Sequence, residues 1–224
     1  MTDRSAHVCA LFALSRAGPD RTRASALRAA RQAAVALAGL QPGRVGLLIG
    51  PSGSGKSTAL ALLRRRLARQ HRPVVGPPTH LPARRPAIDH VGHDLQQALG
   101  LLSAAGLAEA AVLPKPAGVL STGQRARLAL ACAMDRCPAG GVLVADEFAA
   151  VLDRVTARSL AMTLARWCRG QARATLVLAC AHDDLIEALR PDLLVVMPLP
   201  GESPSPPTIL ACAPRGVRPW PRAT

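Results

Sequence analysis

Short apolar runs alternate with longer stretches of helical periodicity along most of this chain. The short runs are rich in Val, Leu and Ala, which is typical of strands buried in a sheet; they are residues 45–49, 74–75, 142–145, 175–181 and 193–197. Stretches in which apolar residues recur every three or four positions predict helices; they are residues 25–37, 56–70, 95–105, 122–136, 156–168 and 184–189. The alternation predicts an α/β fold with a mainly parallel sheet flanked by helices.

The same pattern divides the chain into three parts. Residues 40–197 carry the alternating strands and helices, and we expect them to form one domain with a helical subdomain at about residues 87–137. Residues 1–39 are an Ala/Arg-rich N-terminal segment. Residues 198–224 are rich in proline and lack periodicity, which predicts an extended, partly disordered tail. No apolar run is long enough to cross a membrane.

The first predicted strand leads directly into a glycine-rich segment that matches G-x-x-x-x-G-K-[ST] in full. Its residues are Gly50, Pro51, Ser52, Gly53, Ser54, Gly55, Lys56, Ser57 and Thr58. The glycines allow successive backbone N–H groups to turn toward one centre, and the following helix adds its positive N-terminal end. In such a loop the lysine reaches the β- and γ-phosphates and the serine hydroxyl contacts Mg²⁺. The segment therefore predicts nucleotide binding.

A pair of carboxylates follows the third predicted strand. Asp146 ends the apolar run and can face a Mg²⁺ ion, while Glu147 points in another direction and can polarise an attacking water. An Asp-Glu pair at a strand end is common by itself. Together with the phosphate loop it predicts a Mg²⁺-dependent phosphoryl transfer from ATP to water.

The order of motifs resembles the ABC-type ATPase family, whose members are P-loop NTPases. Ser121-Thr122-Gly123-Gln124, directly before a predicted helix and about twenty residues ahead of the Asp-Glu pair, is the specific sign of that family. Asp153 stands where the family has its D-loop aspartate, and His182 matches the switch histidine. The resemblance covers about residues 40–197.

The resemblance implies a mechanism that two copies share. Two domains would close head to tail around two ATP molecules, with residues 121–124 of one copy contacting the γ-phosphate bound by the loop of the other. Glu147 and His182 would act in hydrolysis, Asp153 would link the two sites, and Ser57 with Asp146 would hold Mg²⁺. Hydrolysis would then let the pair open and drive a conformational change in a partner. The implied location is the cytoplasm, with membrane association only through such a partner.

Several positions depart from transporter subunits of that family. Gln96 and Gln97 lie at the distance expected for the glutamine that contacts the γ-phosphate, but Gln96 is expected on a helix surface. The helical subdomain is shorter than in transporter subunits. Phe12 lies too far upstream to stack on adenine, and Phe148 replaces the usual proline. The Phe148 region resembles a smaller subgroup associated with acetyltransferase-like domains rather than with membrane subunits.

Charge and composition add a further possibility. The net charge is +14, and arginine supplies nearly all of it, since Lys56 and Lys115 are the only lysines. Residues 64–66, Arg69 and Arg72 form a candidate cluster for nucleic acid. Aromatic residues make up only 2% of the chain, which excludes a base-stacking RNA-recognition sheet. The six cysteines show no metal-ligand spacing and agree with a reducing compartment.

Four interpretations therefore stay open. The favoured one is an ABC-type ATPase that forms a homodimer on ATP binding. It has two forms, which are the first two interpretations: the ATP-binding subunit of a membrane transporter, and an ATPase without a membrane partner. The third is a module in which ATP gates nucleic-acid binding, which is not favoured because no zinc-ligand set or long heptad insertion is present. The fourth is a nucleotide-binding protein that does not hydrolyse ATP.

Overall fold

The computed structural model describes residues 19–170, 174–199 and 205–212. The first eighteen residues of the predicted N-terminal segment lie outside the described residues, as do residues 200–204 and 213–224 of the predicted tail. All five predicted strands and all six predicted helices fall within the described ranges.

The described residues form one six-stranded sheet. Its strands are β1 (Val45–Ile49), β2 (Val74–Val75), β3 (Val142–Ala145), β4 (Thr175–Cys180), β5 (Leu193–Val196) and β6 (Thr208–Ala211). They lie in the order β2-β3-β4-β1-β5-β6, and every neighbouring pair is parallel except β5 with β6. Because the parallel strands share one direction, the loops after β1, β3 and β4 all meet at the same edge of the sheet. The predicted mainly parallel α/β fold is confirmed.

Helices cover both faces of this sheet. They are α1 (Pro19–Ala38), α2 (Lys56–Arg69), α3 (Leu95–Ala104), α4 (Thr122–Arg136), α5 (Arg154–Gly170) and α6 (Ile186–Leu189), with 3₁₀ turns at Ala87–His90 and Ala117–Val119. Side chains alternate between the faces along each strand. In β1, Leu47 packs with the core beneath α3 to α6, and Leu48 packs with the core beneath α1 and α2.

Helix α1 belongs to the core, although the sequence suggested a boundary at residue 39. Its buried side chains belong to one core cluster with side chains of α2 and of the four strands β1, β3, β4 and β5. At Gly46 of β1 an added Cβ would lie 2.6 Å from Leu40 Cδ1 and 2.8 Å from Leu37 Cδ2, so the chain at the end of α1 approaches the strand closely. The Arg72 guanidinium donates hydrogen bonds to the carbonyls of Ala38 and Leu40. The folded unit therefore begins before residue 40.

The sheet also continues past the predicted end of the domain. Residues 208–211, placed in the tail by the sequence, form β6 and pair antiparallel with β5. The Cys212 amide donates to the carbonyl of Asp192 at 2.9 Å, which anchors the end of this strand. The boundary at residue 197 is therefore too early for the described part of the chain. None of the described helices is both long and apolar enough to cross a membrane.

The helical subdomain begins and ends with local signals. Gly106, directly after the predicted helix over residues 95–105, has a positive φ of 74°. Its amide donates to Ser103 O and the Leu107 amide donates to Leu102 O, which is the hydrogen-bond pattern of a Schellman motif. Asp94 accepts a hydrogen bond from the Gln97 amide at the start of the same helix. These caps fix the ends of α3 and hence its position beside α4.

Candidate functional site

The phosphate loop lies between β1 and α2, as predicted. Gly50, Gly53 and Gly55 have φ values of 151°, 78° and 93°, in the region that side chains disfavour. At Gly50 an added Cβ would lie 2.9 Å from Met197 Cβ and 3.0 Å from Ser54 Oγ, so this position has no room for a side chain. Ser54 is buried inside the loop, and its hydroxyl has no hydrogen-bond partner among the described residues.

The lysine of the loop folds back over it. Lys56 Nζ donates to the carbonyls of Gly50 and Pro51 at 2.7 and 2.8 Å, which holds the ammonium group above the turn. The N-cap of α2 is Gly55, which offers no side-chain cap. The first N–H groups of α2, at Lys56, Ser57 and Thr58, therefore have no partner from a capping side chain. An ammonium group and unsatisfied backbone amides at one helix end form a site suited to a phosphate.

The two predicted carboxylates lie at the same edge of the sheet. Asp146 and Glu147 directly follow β3, and both are exposed. Asp146 Oδ1 accepts a hydrogen bond from the Glu147 amide at 2.9 Å. Glu147 has a φ of 47°, a left-handed conformation that costs a non-glycine residue about 1–2 kcal/mol.

Phe148 holds the backbone turn at Glu147 in place. Phe148 is buried, and its amide donates to the carbonyl of Ala179 in β4 at 2.8 Å. The side chain packs in the core on the helical-subdomain side of the sheet. The strained Glu147 backbone is therefore supported by an anchor directly after it, which proline could not supply through an N–H group.

His182 follows β4 and faces the same space. It is exposed, and its carbonyl accepts a hydrogen bond from the Cys180 thiol at 3.0 Å. Burial raises the pKa of the Cys180 thiol to about 11, so this cysteine is protonated at neutral pH. The sequence did not single out Cys180 as part of the site, since it reads as an apolar position of a buried strand.

A single cavity of about 490 Å³ joins these elements. Nine predicted residues line it: Ser52, Gly53, Gly55, Lys56, Ser57, Thr58, Asp146, Glu147 and His182. Six further residues complete the lining: Phe148, Ala150, Arg154, Cys180, Ala181 and Leu185. The sheet edge thus brings together a loop suited to phosphate, two carboxylates and an imidazole from three separate parts of the chain.

Arg154 is a lining residue that sequence reasoning missed. Its guanidinium makes a two-point contact with Asp184, with Nε donating to Oδ2 at 2.7 Å and Nη2 donating to Oδ1. This hydrogen bonding lowers the pKa of Asp184 and raises the pKa of Arg154. The pair ties the start of α5 to the loop after β4, on which His182 lies. The only sequence signal was its position next to Asp153.

Arg64, on α2, contacts β3, the strand that leads to Asp146 and Glu147. Its Nη2 donates to the carbonyl of Val144 in β3 at 3.0 Å. Burial lowers the pKa of the Arg64 guanidinium, and the nearby charge of Asp146 opposes that shift. An added Cβ at Gly76 would lie 2.7 Å from Arg64 Nη2, so that glycine leaves room for the guanidinium. Arg64, part of the predicted nucleic-acid cluster, is thus engaged with the sheet.

The predicted signature residues lie at the start of α4 and do not line the cavity. Ser121 is the N-cap, with its hydroxyl accepting from the Gln124 amide at 3.2 Å and its own amide donating to Gln124 Oε1 at 3.0 Å. This is a reciprocal capping box. Thr122 follows the cap, and Gly123 lies so close to Leu152 that an added Cβ would be 3.0 Å from Cδ2. Ser121 and Thr122 are exposed, whereas Gly123 and Gln124 are half-buried.

Asp153 also caps a helix. Its Oδ1 accepts a hydrogen bond from the Thr156 amide at 2.9 Å at the start of α5, and hydrogen bonds from Thr156 lower its pKa. It is exposed and outside the cavity lining. Both candidate glutamines are exposed on α3, as the sequence predicted for Gln96, and Gln97 Oε1 accepts a hydrogen bond from the His93 amide at 2.8 Å.

The residues predicted to hold Mg²⁺ fit such an ion only together with a nucleotide. Ser57 and Asp146 both line the cavity and offer a hydroxyl and a carboxylate oxygen, the hard ligands that Mg²⁺ prefers. Within the described ranges, no group of three or more His, Cys, Asp or Glu side chains could hold a metal ion. Phosphate oxygens and water would have to supply the other ligands, as is usual for Mg²⁺ in nucleotide sites.

Comparison with known proteins agrees with this geometry. The model of a family described as "AAA domain" matches residues 40–189. The dimeric post-hydrolysis structure of the ATP-binding cassette MJ0796, bound to ADP and Pi, superposes with a TM-score of 0.53 at 21% identity, covering 70% of this chain and 82% of that one. We find no curated protein that matches the chain significantly.

Two further structures show the same likeness. A dimeric structure of MJ0796, a bacterial ABC transporter cassette, gives a TM-score of 0.52 at 19% identity and covers 70% of this chain and 82% of that chain. The ADP conformation of MJ1267, an ATP-binding cassette of an ABC transporter, gives 0.52 at 18% identity, with 70% and 77% covered. At these identities the likeness concerns the fold, which is that of ATP-binding cassettes.

Proposed function

Because this chain belongs to the AAA domain family and has the fold of ATP-binding cassettes, we propose that it is an ABC-type ATPase. It binds ATP with Mg²⁺, hydrolyses it to ADP and phosphate, and pairs with a second copy around the nucleotides. The observation that carries this proposal is the cavity in which the phosphate loop, Asp146, Glu147 and His182 meet. A phosphate loop alone would support binding only, whereas the added carboxylates and imidazole support chemistry.

Nucleotide binding rests on the loop and the start of α2. The Lys56 ammonium lies 2.7 and 2.8 Å from two loop carbonyls and can turn from them to the β- and γ-phosphates. The amides at the start of α2 face the phosphates with the positive end of the helix dipole behind them. Ser57 and Asp146 would hold Mg²⁺, which neutralises charge developing on the phosphate oxygens.

Hydrolysis needs a group that orients water, and Glu147 is the candidate base. Its carboxylate is exposed into the cavity, and the anchored turn at Phe148 fixes the backbone from which it projects. A positioned base contributes about 10²–10⁴-fold to a proton-transfer step. His182, on the neighbouring loop, would donate a hydrogen bond to the γ-phosphate, and the contact between Arg154 and Asp184 holds that loop in place.

The proposed homodimer would complete the site with a second helix end. Ser121, Thr122, Gly123 and Gln124 lie outside the cavity of their own chain, and the first two of them are exposed. A second copy could place these groups against the γ-phosphate, with Asp153 near the junction. Loss of the γ-phosphate on hydrolysis would remove that shared contact and let the pair open. This opening would drive a conformational change in a partner.

The two lysines of the chain allow a matched test of nucleotide binding. Lys56→Ala should abolish binding of ATP·Mg²⁺ in isothermal titration calorimetry, because it removes the only ammonium group in the cavity lining. Lys115→Ala removes the other lysine of the chain, an exposed one, and should bind as the wild type does. Equal affinity in the two variants would contradict the assignment of the phosphate loop.

Replacing the proposed base should separate hydrolysis from binding. Glu147→Gln keeps the backbone and side-chain length, so we expect it to bind ATP while turnover falls by about 10²-fold or more. Sedimentation velocity with ATP·Mg²⁺ should then show a trapped dimer. Glu187→Gln, at a carboxylate 89% exposed on α6, is the control and should retain turnover. Unchanged phosphate release by Glu147→Gln would refute the catalytic role.

The cellular setting follows from the substrate. ATP is available in the cytoplasm, and five described cysteines, Cys132, Cys137, Cys168, Cys180 and Cys212, are free thiols, in agreement with a reducing compartment. Association with a membrane would require a separate transporter subunit. Co-purification of this chain with an integral membrane protein is the result that would favour the transporter form of the proposal over an ATPase without such a partner.

A further inference from the structure

Helices α1 and α2 lie side by side on one face of the sheet and run in the same direction. The carbonyl of Ala26, in the first half of α1, lies 3.9 Å from an ideal Cβ at Gly55, directly before α2. At the other end, Arg72 reaches the carbonyl of Ala38. The two helices therefore present one joint outer surface to solvent, on the face opposite the helical subdomain.

This outer surface is rich in arginine. Five arginines on these two helices are exposed, and we call them the arginine face: Arg28, Arg31, Arg65, Arg66 and Arg69. Arg64 and Arg72, which the sequence grouped with them, are not members, because their guanidinium groups donate to backbone carbonyls. The folded structure thus divides the predicted cluster and adds two residues from α1.

The positive charge of the arginine face is not balanced. Helix α2 contains no Asp or Glu, and α1 contains none from residue 24 onward. In the described part of the chain, the ion pairs involve Arg44, Arg127, Arg154, Arg158 and Arg169, and none involves the arginine face. Five exposed guanidinium groups on two adjacent helices give this surface a positive potential, which would attract a polyanion that binds across them.

The surrounding side chains favour one class of polyanion. A helix that lies in a membrane surface needs a broad apolar face, but α2 exposes no large hydrophobic residue and α1 exposes only Leu27 and Val35 among those described. Single-stranded nucleic acid is usually held by aromatic side chains on which bases stack. Neither helix contains Phe, Tyr or Trp. Charge without apolar or aromatic contacts suits the outer backbone of a duplex.

We propose that the arginine face binds the phosphate backbone of a nucleic-acid duplex without reading its sequence. At about 1.5 Å per residue, the 20 residues of α1 and the 14 residues of α2 span about 30 and 20 Å. A duplex presents one phosphate charge per about 1.7 Å, so several phosphates fall within that length. The arginine face lies outside the nucleotide cavity, so duplex binding does not depend on ATP hydrolysis.

Salt dependence measures the contacts that this proposal requires. The full chain is titrated by fluorescence anisotropy with a labelled 20-base-pair DNA of arbitrary sequence at several salt concentrations. Each phosphate neutralised contributes about −0.9 to the slope of log K against log salt, so five contacts would give about −4.5. We expect Arg65→Ala/Arg69→Ala, two positions one helical turn apart, to reduce the magnitude of the slope by about 1.8.

Controls separate this surface from general positive charge and from the ATPase. Arg84→Ala/Arg166→Ala removes two exposed arginines outside the arginine face and should leave the slope unchanged. Lys56→Ala should keep duplex binding even if it loses ATP, so the two proposals can fail separately. Circular dichroism melts should match the wild type for both double variants. Arg65, Arg69 and Arg166 are exposed helix positions at which Arg→Ala does not lower helix propensity, and Arg84 is exposed in a turn.

Titrations with other polyanions identify the class of ligand that the arginine face binds. A duplex RNA of the same length should bind with a similar slope, whereas an oligo(dT) single strand and vesicles with anionic lipid should bind more weakly. The proposal is overturned if the wild type fails to bind duplex at low salt, or if the control double variant loses as much affinity as Arg65→Ala/Arg69→Ala. It is also overturned if the arginine face is needed for vesicles and not for duplexes.

Discussion

Ser121 allows a direct test of the proposed contact between α4 and a second nucleotide, because its capping role can be kept while its charge is changed. Its hydroxyl and amide form two hydrogen bonds with Gln124, at 3.2 and 3.0 Å. Asn and Asp cap a helix about as well as Ser does. Ser121→Asn and Ser121→Asp should therefore fold normally, whereas Ser121→Ala should lose about 1 kcal/mol of stability.

For Ser121→Asp we expect opposite effects on two quantities: the stability of the fold should stay or rise, whereas the affinity of the dimer should fall. A loss of about 1 kcal/mol lowers Tm by about 2–4 °C in a domain of this size, which is the result expected for Ser121→Ala. An aspartate at the helix N-terminus gains about 0.3–1 kcal/mol from the helix dipole. Beside a phosphate, the same carboxylate would be repelled by about 4 kcal/mol at 4 Å and an effective dielectric of 20. That corresponds to about a thousandfold weakening of the dimer for each of its two nucleotide sites.

The assay combines thermal unfolding without nucleotide and sedimentation velocity with ATP·Mg²⁺, all in the Glu147→Gln background that should trap the dimer. Ser121→Asp should keep or raise Tm and remain monomeric. Ser121→Asn should keep Tm and pair more weakly than Glu147→Gln alone, because it loses only the hydroxyl. If Ser121→Asp paired as tightly as its parent, the start of α4 would not contact the γ-phosphate.

Two further predictions test the supports of the site. Gly46→Ala should destabilise the fold by about 1–3 kcal/mol in urea denaturation, since its Cβ would lie 2.6 Å from Leu40 Cδ1, whereas Gly100→Ala, with open space in α3, should not. In Arg154→Gln, Asp184 loses the contact that holds its folded pKa below the ordinary 3.8. The wild type should therefore be more stable than this variant above about pH 4, and the difference should vanish as pH falls through the folded pKa; a difference that persists in acid would contradict the assignment.

The strands, the helices and the phosphate loop could be predicted because their determinants lie within a few neighbouring residues. Gly50–Thr58 needs only its own glycines, its lysine and the flanking strand and helix to form the loop. The capping box at Ser121 and Gln124 is equally local, since it joins residues three positions apart. The meeting of Asp146 with the loop also followed from the pattern, because parallel strands share one edge.

The limits of the folded unit depended on long-range packing. Helix α1 joins the core because Ala-rich turns allow it to lie close to Gly46, and nothing in residues 25–37 alone states which surface they cover. Strand β6 forms because β5 offers an unpaired edge, and four residues within a Pro-rich segment carry little periodicity of their own.

The local sequence pattern also could not predict which groups far apart in the chain form hydrogen bonds with each other. Arg154 meets Asp184 across 30 positions, and Arg64 meets the carbonyl of Val144 across 80. Composition alone does not indicate which arginines bind carbonyls and which stay exposed on α1 and α2. Short-range spacing in the sequence specifies helices, strands and motifs. The direction and the hydrogen-bond partners of each charged side chain are decided only when these elements pack, because burial and hydrogen-bond geometry are properties of surfaces in contact.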